Sequence, residues 1–304
     1  MHYVARWEWP SALVFGSLIA ATDPVSVIAT FREAKVHGRL RLLIEAESLL
    51  NDGTAAVAFG VAVLFAAGHP LTAAGLTKDL FGGVGGGLLC GAAVAGIALL
   101  LTRRTEDHLV ELTFTTVAAY GSFLLAEQVD FSGVFATIAA GLIIGNWGTL
   151  GGISDHGREA VQAFWDYAAF VANSLVFLLI GMHEAKQKFA AVWLPTLAAL
   201  IFVVLGRAVA VYPICLLFVR SDLRVTSRHQ HALVWGGLRG ALALALALGL
   251  PAEISGRAEI ITVSFAAVAF SVFVQGLTIP PLLRLIGEIP PLPHKEDVRT
   301  TDVG

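Results

Sequence analysis

Residues 11–31 read SALVFGSLIAATDPVSVIATF, and the fold turns on how this stretch is read. A run of about 20 apolar residues spans the hydrocarbon core of a bilayer as a helix. Thr22-Asp23-Pro24 nevertheless lies in its middle. Pro24 lacks an amide hydrogen and clashes with the preceding turn, so the helix should break here. That leaves free carbonyls and a carboxylate at mid-membrane, and interrupted helices of this kind build ion sites in transporters. A plainer reading, with Asp23 capping the second half-helix, is compatible with that role.

The rest of the chain is of the same kind. Of its 304 residues 56% are hydrophobic and 14% charged, against about 25% charged in soluble domains. Mean hydropathy is +0.76. A formal net charge of -3 gives no electropositive surface for nucleic acid. Cys90 and Cys215 sit inside apolar runs and read as small buried hydrophobes. Apolar runs at 11–31, 43–67, 80–102, 109–127, 131–147, 164–182, 190–219, 230–250 and 258–287 predict an all-α, polytopic membrane protein of about nine spans. The seventh and ninth are long enough to tilt or break. Residues 1–10 read as an extracytoplasmic lead, 11–287 as the transmembrane domain and 288–304 as a disordered cytoplasmic tail, Pro-rich from Pro290.

Loop charge sets the orientation. Arg32, Lys35, Arg39, Arg41, Arg103, Arg104, Arg158, Arg220, Arg224, Arg228, Arg284, Lys295 and Arg299 flank one side, and Arg6, Lys78, Lys186, Lys188 and Arg257 the other. The 13 against 5 make the first side cytoplasmic, with the N-terminus outside and the C-terminus inside.

Ionisable groups within spans are costly and usually functional. The second span carries Glu45-Ala46-Glu47-Ser48-Leu49-Leu50-Asn51-Asp52-Gly53. At helical pitch Glu47, Ser48, Asn51 and Asp52 share an arc of roughly 140°. Carboxylate and hydroxyl oxygens there suit a hard monovalent cation; the bland alternative is a helix end at an aqueous boundary. Arg207 lies between apolar stretches of the seventh span and needs a carboxylate partner. In the eighth, glycines flank Arg239 in Gly236-Gly237-Leu238-Arg239-Gly240, which predicts unwound backbone with a charge set into it; snorkelling to the cytoplasmic side is the alternative. The first and eighth spans run in opposite directions, the pattern of an inverted repeat with two broken, crossing helices.

Ala21-Thr22-Asp23-Pro24-Val25, Glu47-Ser48-Leu49-Leu50-Asn51-Asp52-Gly53 and Gly236-Gly237-Leu238-Arg239-Gly240-Ala241 together resemble the NhaP-type sodium/proton antiporters, relatives of the animal sodium/proton exchangers. The likeness runs from about residue 11 to 287. It implies a dimerisation domain and a mobile core, with homodimers in the full-length form. It implies that Asp52 trades cation for proton, that Ser48, Thr22, Asp23 and Asn51 complete a sodium site, that Glu47 and Arg207 form a structural ion pair, and that Arg239 is the charge of the second crossing helix. Nothing here corresponds to that family's first helices, so the chain reads as N-terminally truncated.

The function expected is secondary antiport of sodium or lithium for protons, serving pH and sodium homeostasis in the plasma (inner) membrane. The protein is not an enzyme and needs no cofactor beyond the transported ions; its other partner is membrane lipid. One carboxylate that holds a proton or a cation, but not both, suffices. Asn51 in place of a second acid leaves one titrating group there, which favours electroneutral exchange. Potassium/proton antiport, or another solute:proton transport on the same fold, stays open. A channel lacks a repeated filter sequence. An intramembrane hydrolase lacks a base, because every histidine sits in or beside a loop.

Overall fold

A computed structural model describes residues 1–23, 25–33, 38–69, 72, 75, 77, 81–103, 107–147, 153–185 and 192–289. Pro24, Lys35, Lys78, Arg104, Lys186, Lys188 and the tail from Pro290, with Lys295 and Arg299, lie outside the described residues. The fold is all-α, with no strand among the described residues. In chain order the helices are α1 (His2–Ala5), α2 (Trp9–Leu18), α3 (Val25–Glu33), α4 (Arg39–Ala66), α5 (Gly83–Thr102), α6 (His108–Gln128), α7 (Gly133–Trp147), α8 (Asp155–Glu184), α9 (Trp193–Leu217), α10 (Ser227–Gly236), α11 (Ala241–Leu248), α12 (Arg257–Phe270) and α13 (Leu277–Leu285). A π-helical turn, Ser271–Gly276, joins the last two.

Among the described residues seven helical stretches are long and apolar enough to cross a membrane: α4, α5, α6, α8, α9, α10 with α11, and α12 through α13. α7 is apolar but shorter. Burial separates inner from outer helices. The α10–α11 stretch is 67% buried and α12–α13 50%, whereas α8 and α9 are 6% buried. Leu217, Val209 and Leu89 are exposed, which is stable only where the surroundings are lipid or another apolar surface.

The first and eighth spans are broken as the sequence predicts, and the sixth differs from its reading in where it starts. The first is two helices, α2 and α3, with residues 19–23 unwound or in a turn. The eighth is also two, α10 and α11, separated by Gly237–Gly240. The sixth begins nine residues before the expected 164, because Ser154 caps α8 at Asp155, accepting from the Gly157 amide at 3.0 Å. Ser154 is held in turn by Glu111 of α6, a fully buried carboxylate that accepts from its amide and its hydroxyl, both at 2.9 Å. The seventh, α9, is one continuous helix despite Pro213. The lead contains α1 and the start of α2, with Trp7 buried. At the other end Glu288 accepts from His229 at 2.7 Å and Ile289 is buried.

Small residues set the α5–α7 contact. Gly83, Gly87, Gly91 and Ala95 lie four apart and buried on one face of α5. A Cβ on Gly87 would meet the Ser132 carbonyl oxygen at 2.5 Å, and one on Gly91 would overlap the Ala136 carbonyl. Without a hydrophobic effect between helices in lipid, such close backbone approach is what binds them. On α7, Phe135 in turn reaches Gly53 of α4, where a Cβ would lie 2.9 Å from the ring. That contact fixes α4 one residue beyond Asp52.

The two broken helices cross antiparallel. Val14, Phe15 and Leu18 of α2 share a buried cluster with Ala243, Leu244 and Ala247 of α11. Val27 and Phe31 of α3 share another with Ala232 and Leu233 of α10. The first half of each helix thus meets the second half of the other, and the two breaks face each other.

Candidate functional site

An unwound segment at membrane depth must have its backbone groups satisfied by protein or by a water-filled cavity. Both breaks are satisfied largely by each other. The amide of Asp23 donates to the Leu238 carbonyl at 2.8 Å. Arg239 donates to the carbonyls of Ala20 and Ala21 at 2.9 and 3.3 Å. In the second break, the Leu238 amide turns back to Gly236 at 2.9 Å, and Gln275 of the π turn donates to the Trp235 carbonyl at 3.4 Å. Gly240 is required by proximity, since a Cβ there would overlap the Asp23 side chain.

α4 supplies the remaining partners. Asn51 Nδ2 donates to the Ala20 carbonyl at 2.7 Å and to Thr22 Oγ1 at 3.2 Å. Ser48 Oγ donates to the Thr22 carbonyl at 2.6 Å. Asp52 Oδ1 accepts from the Thr22 amide at 3.1 Å. One face of one helix therefore holds Ala20 and Thr22 of the first break. Arg207 of α9 forms a bidentate pair with Glu47 at 2.7 and 2.6 Å and also donates to the Leu233 carbonyl at the end of α10. The pair is asymmetric: the Arg207 side chain is 9% exposed and that of Glu47 is 35%. Gly237 leaves room for the guanidinium, because a Cβ there would sit 2.5 Å from Nε.

The residues expected at an ion site divide into two sets. Thr22, Asp23 and Asp52 line a chamber of ≈170 Å³ together with Asn173 and the start of α11. Ser48 is buried behind this chamber and Asn51 faces away from it, toward a separate cavity of ≈610 Å³ that also reaches Glu47, Arg207 and Arg239. In this conformation both act as braces of the break. A wider cavity of ≈770 Å³ leads to the chamber, with Arg32 and Asp166 among its walls and Asp23 and Asn173 where the two meet. Sequence reasoning missed Asp166 and Asn173. Their signal was present: two polar residues seven apart in an apolar helix lie two turns apart on one face.

Chemically, the chamber offers two carboxylates, a hydroxyl and unwound backbone, which are oxygen donors suited to a small hard cation or a proton. The chain is 38% identical over 282 residues to the Na(+)/H(+) antiporter NhaG of Bacillus atrophaeus, covering 91% of this chain and 53% of the relative. It is 39% identical over 297 residues to the Na(+)/H(+) antiporter ApNhaP of Aphanothece halophytica, covering 95% of this chain and 56% of that one. The chain thus spans about half the length of these relatives. In fold it matches the sodium proton antiporter MjNhaP1 of Methanocaldococcus jannaschii with TM-score 0.76 at 21% identity, over 94% of this chain and 74% of that one. Residues 1–285 match the transmembrane sodium/hydrogen exchanger family, and the chain is a multi-pass membrane protein belonging to that family.

Proposed function

We propose that this protein exchanges sodium or lithium for protons across the plasma membrane, one for one, through Asp52. The observation that carries the reading is the chamber between the two breaks: Asp52 faces it from α4, with Thr22 and Asp23 of the first break beside it. Oδ1 of Asp52 is anchored by the Thr22 amide, and Oδ2 has no protein donor among the described residues. That second oxygen can hold a proton or contribute to a cation shell, and the two uses exclude each other. Exclusion of this kind is all that coupled exchange requires.

The wide cavity ends near Arg32, on the side that carries the excess of basic loop residues. In this reading the conformation is open to the cytoplasm, and rocking of the crossing against its surroundings exposes the chamber to the other side. Homodimers would supply the fixed surroundings, and the exchange would serve pH and sodium homeostasis.

The test is flux through the 304-residue protein in proteoliposomes with an internal pH dye. Sodium or lithium added outside acidic vesicles should dissipate the pH gradient, and choline should not. Dissipation by potassium alone would replace this reading with potassium/proton antiport. No cation-dependent proton movement at all would overturn it.

A further inference from the structure

Asn173 stands apart from the other polar groups near the chamber. It lies on α8, outside the two crossing helices and outside α4. With Asp23 it borders both the ≈170 Å³ chamber and the ≈770 Å³ cavity, and so stands where the two meet. Asn51, the other asparagine nearby, spends its amide on Ala20 and Thr22. The amide of Asn173 makes no hydrogen bond among the described residues, although it is half-buried and its helix neighbours Phe177 and Ile180 are apolar. A polar group left unpaired within an apolar span is costly, and it persists where it faces a pathway or a ligand.

An amide oxygen is a hard, neutral donor of the kind that completes shells around cations already neutralised by carboxylates. Asp52 and Asp23 supply the charge from one side of the chamber; Asn173 faces them from α8. We propose that Asn173 is a ligand of the transported cation, giving it a neutral oxygen at the chamber entrance and thereby helping to set which monovalent cation is accepted. The inference rests on the antiporter reading above. It also gives α8 a stake in occupancy: an ion in the chamber ties α8 to the crossing, and an empty or protonated chamber releases it.

The test measures binding without turnover. The purified protein is heated in detergent with increasing sodium chloride, choline chloride holding ionic strength constant. Sodium should stabilise the wild type, since a ligand of the folded state raises its apparent stability. Asn173→Ala should need at least about tenfold more sodium for the same gain, with its melting point in choline little changed. Asn173→Asp keeps an oxygen in place and should bind sodium in alkaline buffer at least as tightly as wild type. It also guards against a failure of the alanine variant to fold. A structural asparagine would instead lower melting in choline and leave the sodium midpoint alone. That result, or weakened binding in Asn173→Asp, overturns the proposal for Asn173 while sodium binding by the wild type stands. Absence of any sodium effect on the wild type removes both the antiporter reading and this inference.

Discussion

Asn51 and Asp52 are adjacent on α4 and are used in opposite ways. The asparagine is tied at both donors to the first break, while the carboxylate is tied at one oxygen. Asp52→Asn should therefore abolish sodium/proton exchange in proteoliposomes while leaving membrane insertion and the size-exclusion profile intact. An amide keeps the hydrogen bond from Thr22 as an acceptor but cannot release a proton to a cation; substantial exchange by the variant would sink the assignment. The Glu47–Arg207 pair makes a second, asymmetric prediction. Removing Glu47 leaves the guanidinium, the drier partner, without its carboxylate, and should cost roughly 3–5 kcal/mol. Removing Arg207 should cost less, because Glu47 is one-third exposed and keeps water. Replacing both by apolar residues should cost less than the sum, as measured in a double-mutant cycle of thermal stability. Additive losses would show that the pair is not coupled.

Among the elements, what the sequence made legible was what one residue does to its own helix. Thr22-Asp23-Pro24 and Gly236-Gly237-Leu238-Arg239-Gly240 announce breaks because proline, glycine and charge are each costly in an apolar span. What those breaks bind to was not legible. That Arg239 reaches back to the carbonyls of Ala20 and Ala21, over 200 residues away, depends on how two helices cross, and no local pattern encodes it. Asn173 was missed because the polar spacing it shares with Asp166 on its own helix says nothing of what the pair faces, and its meaning comes from the neighbouring break. The early start of α8 was hidden because its first two turns carry charge, and hydropathy marks the lipid-facing part of a helix rather than its whole length. The glycine stripe of α5 was legible in principle but invisible to a search for ionisable groups. Its weight can be tested. Gly91→Leu should force α5 away from Ala136 of α7, and should lower thermal stability in detergent far more than Gly96→Leu, which faces open space. Equal effects at the two positions would show that close backbone approach is not what joins the pair.

For the whole molecule, the one-for-one reading makes a statement about voltage. Asp52 is the only acid that α4 presents to the chamber, and Asn51 beside it carries no charge. If a proton leaves each time a cation enters, no net charge crosses. Exchange should then proceed at the same rate under either sign of an imposed potassium/valinomycin potential. Net movement of one charge would couple about 2.3 kcal/mol to each 100 mV. A rate that reverses with the sign of the potential would require a second titrating group, and Asp23, in the same chamber, would be the first to examine.

The mutual backbone bonding of the two breaks has a further consequence, in the timescale of amide exchange with solvent. Stretches without regular secondary structure normally take up deuterium first. Here the amides of Thr22 and Asp23 lie in such a stretch, yet one is held by a carboxylate and the other by the opposite break. A deuterium map of the detergent-solubilised protein should therefore look inverted at this point. The unwound residues should exchange more slowly than the exposed turn at Arg220 and Asp222 that follows α9, and as slowly as the buried turns of α12. To open either break the protein must open both, so the crossing should respond as a single stiff joint, and the give needed to change sides must come from the helices around it.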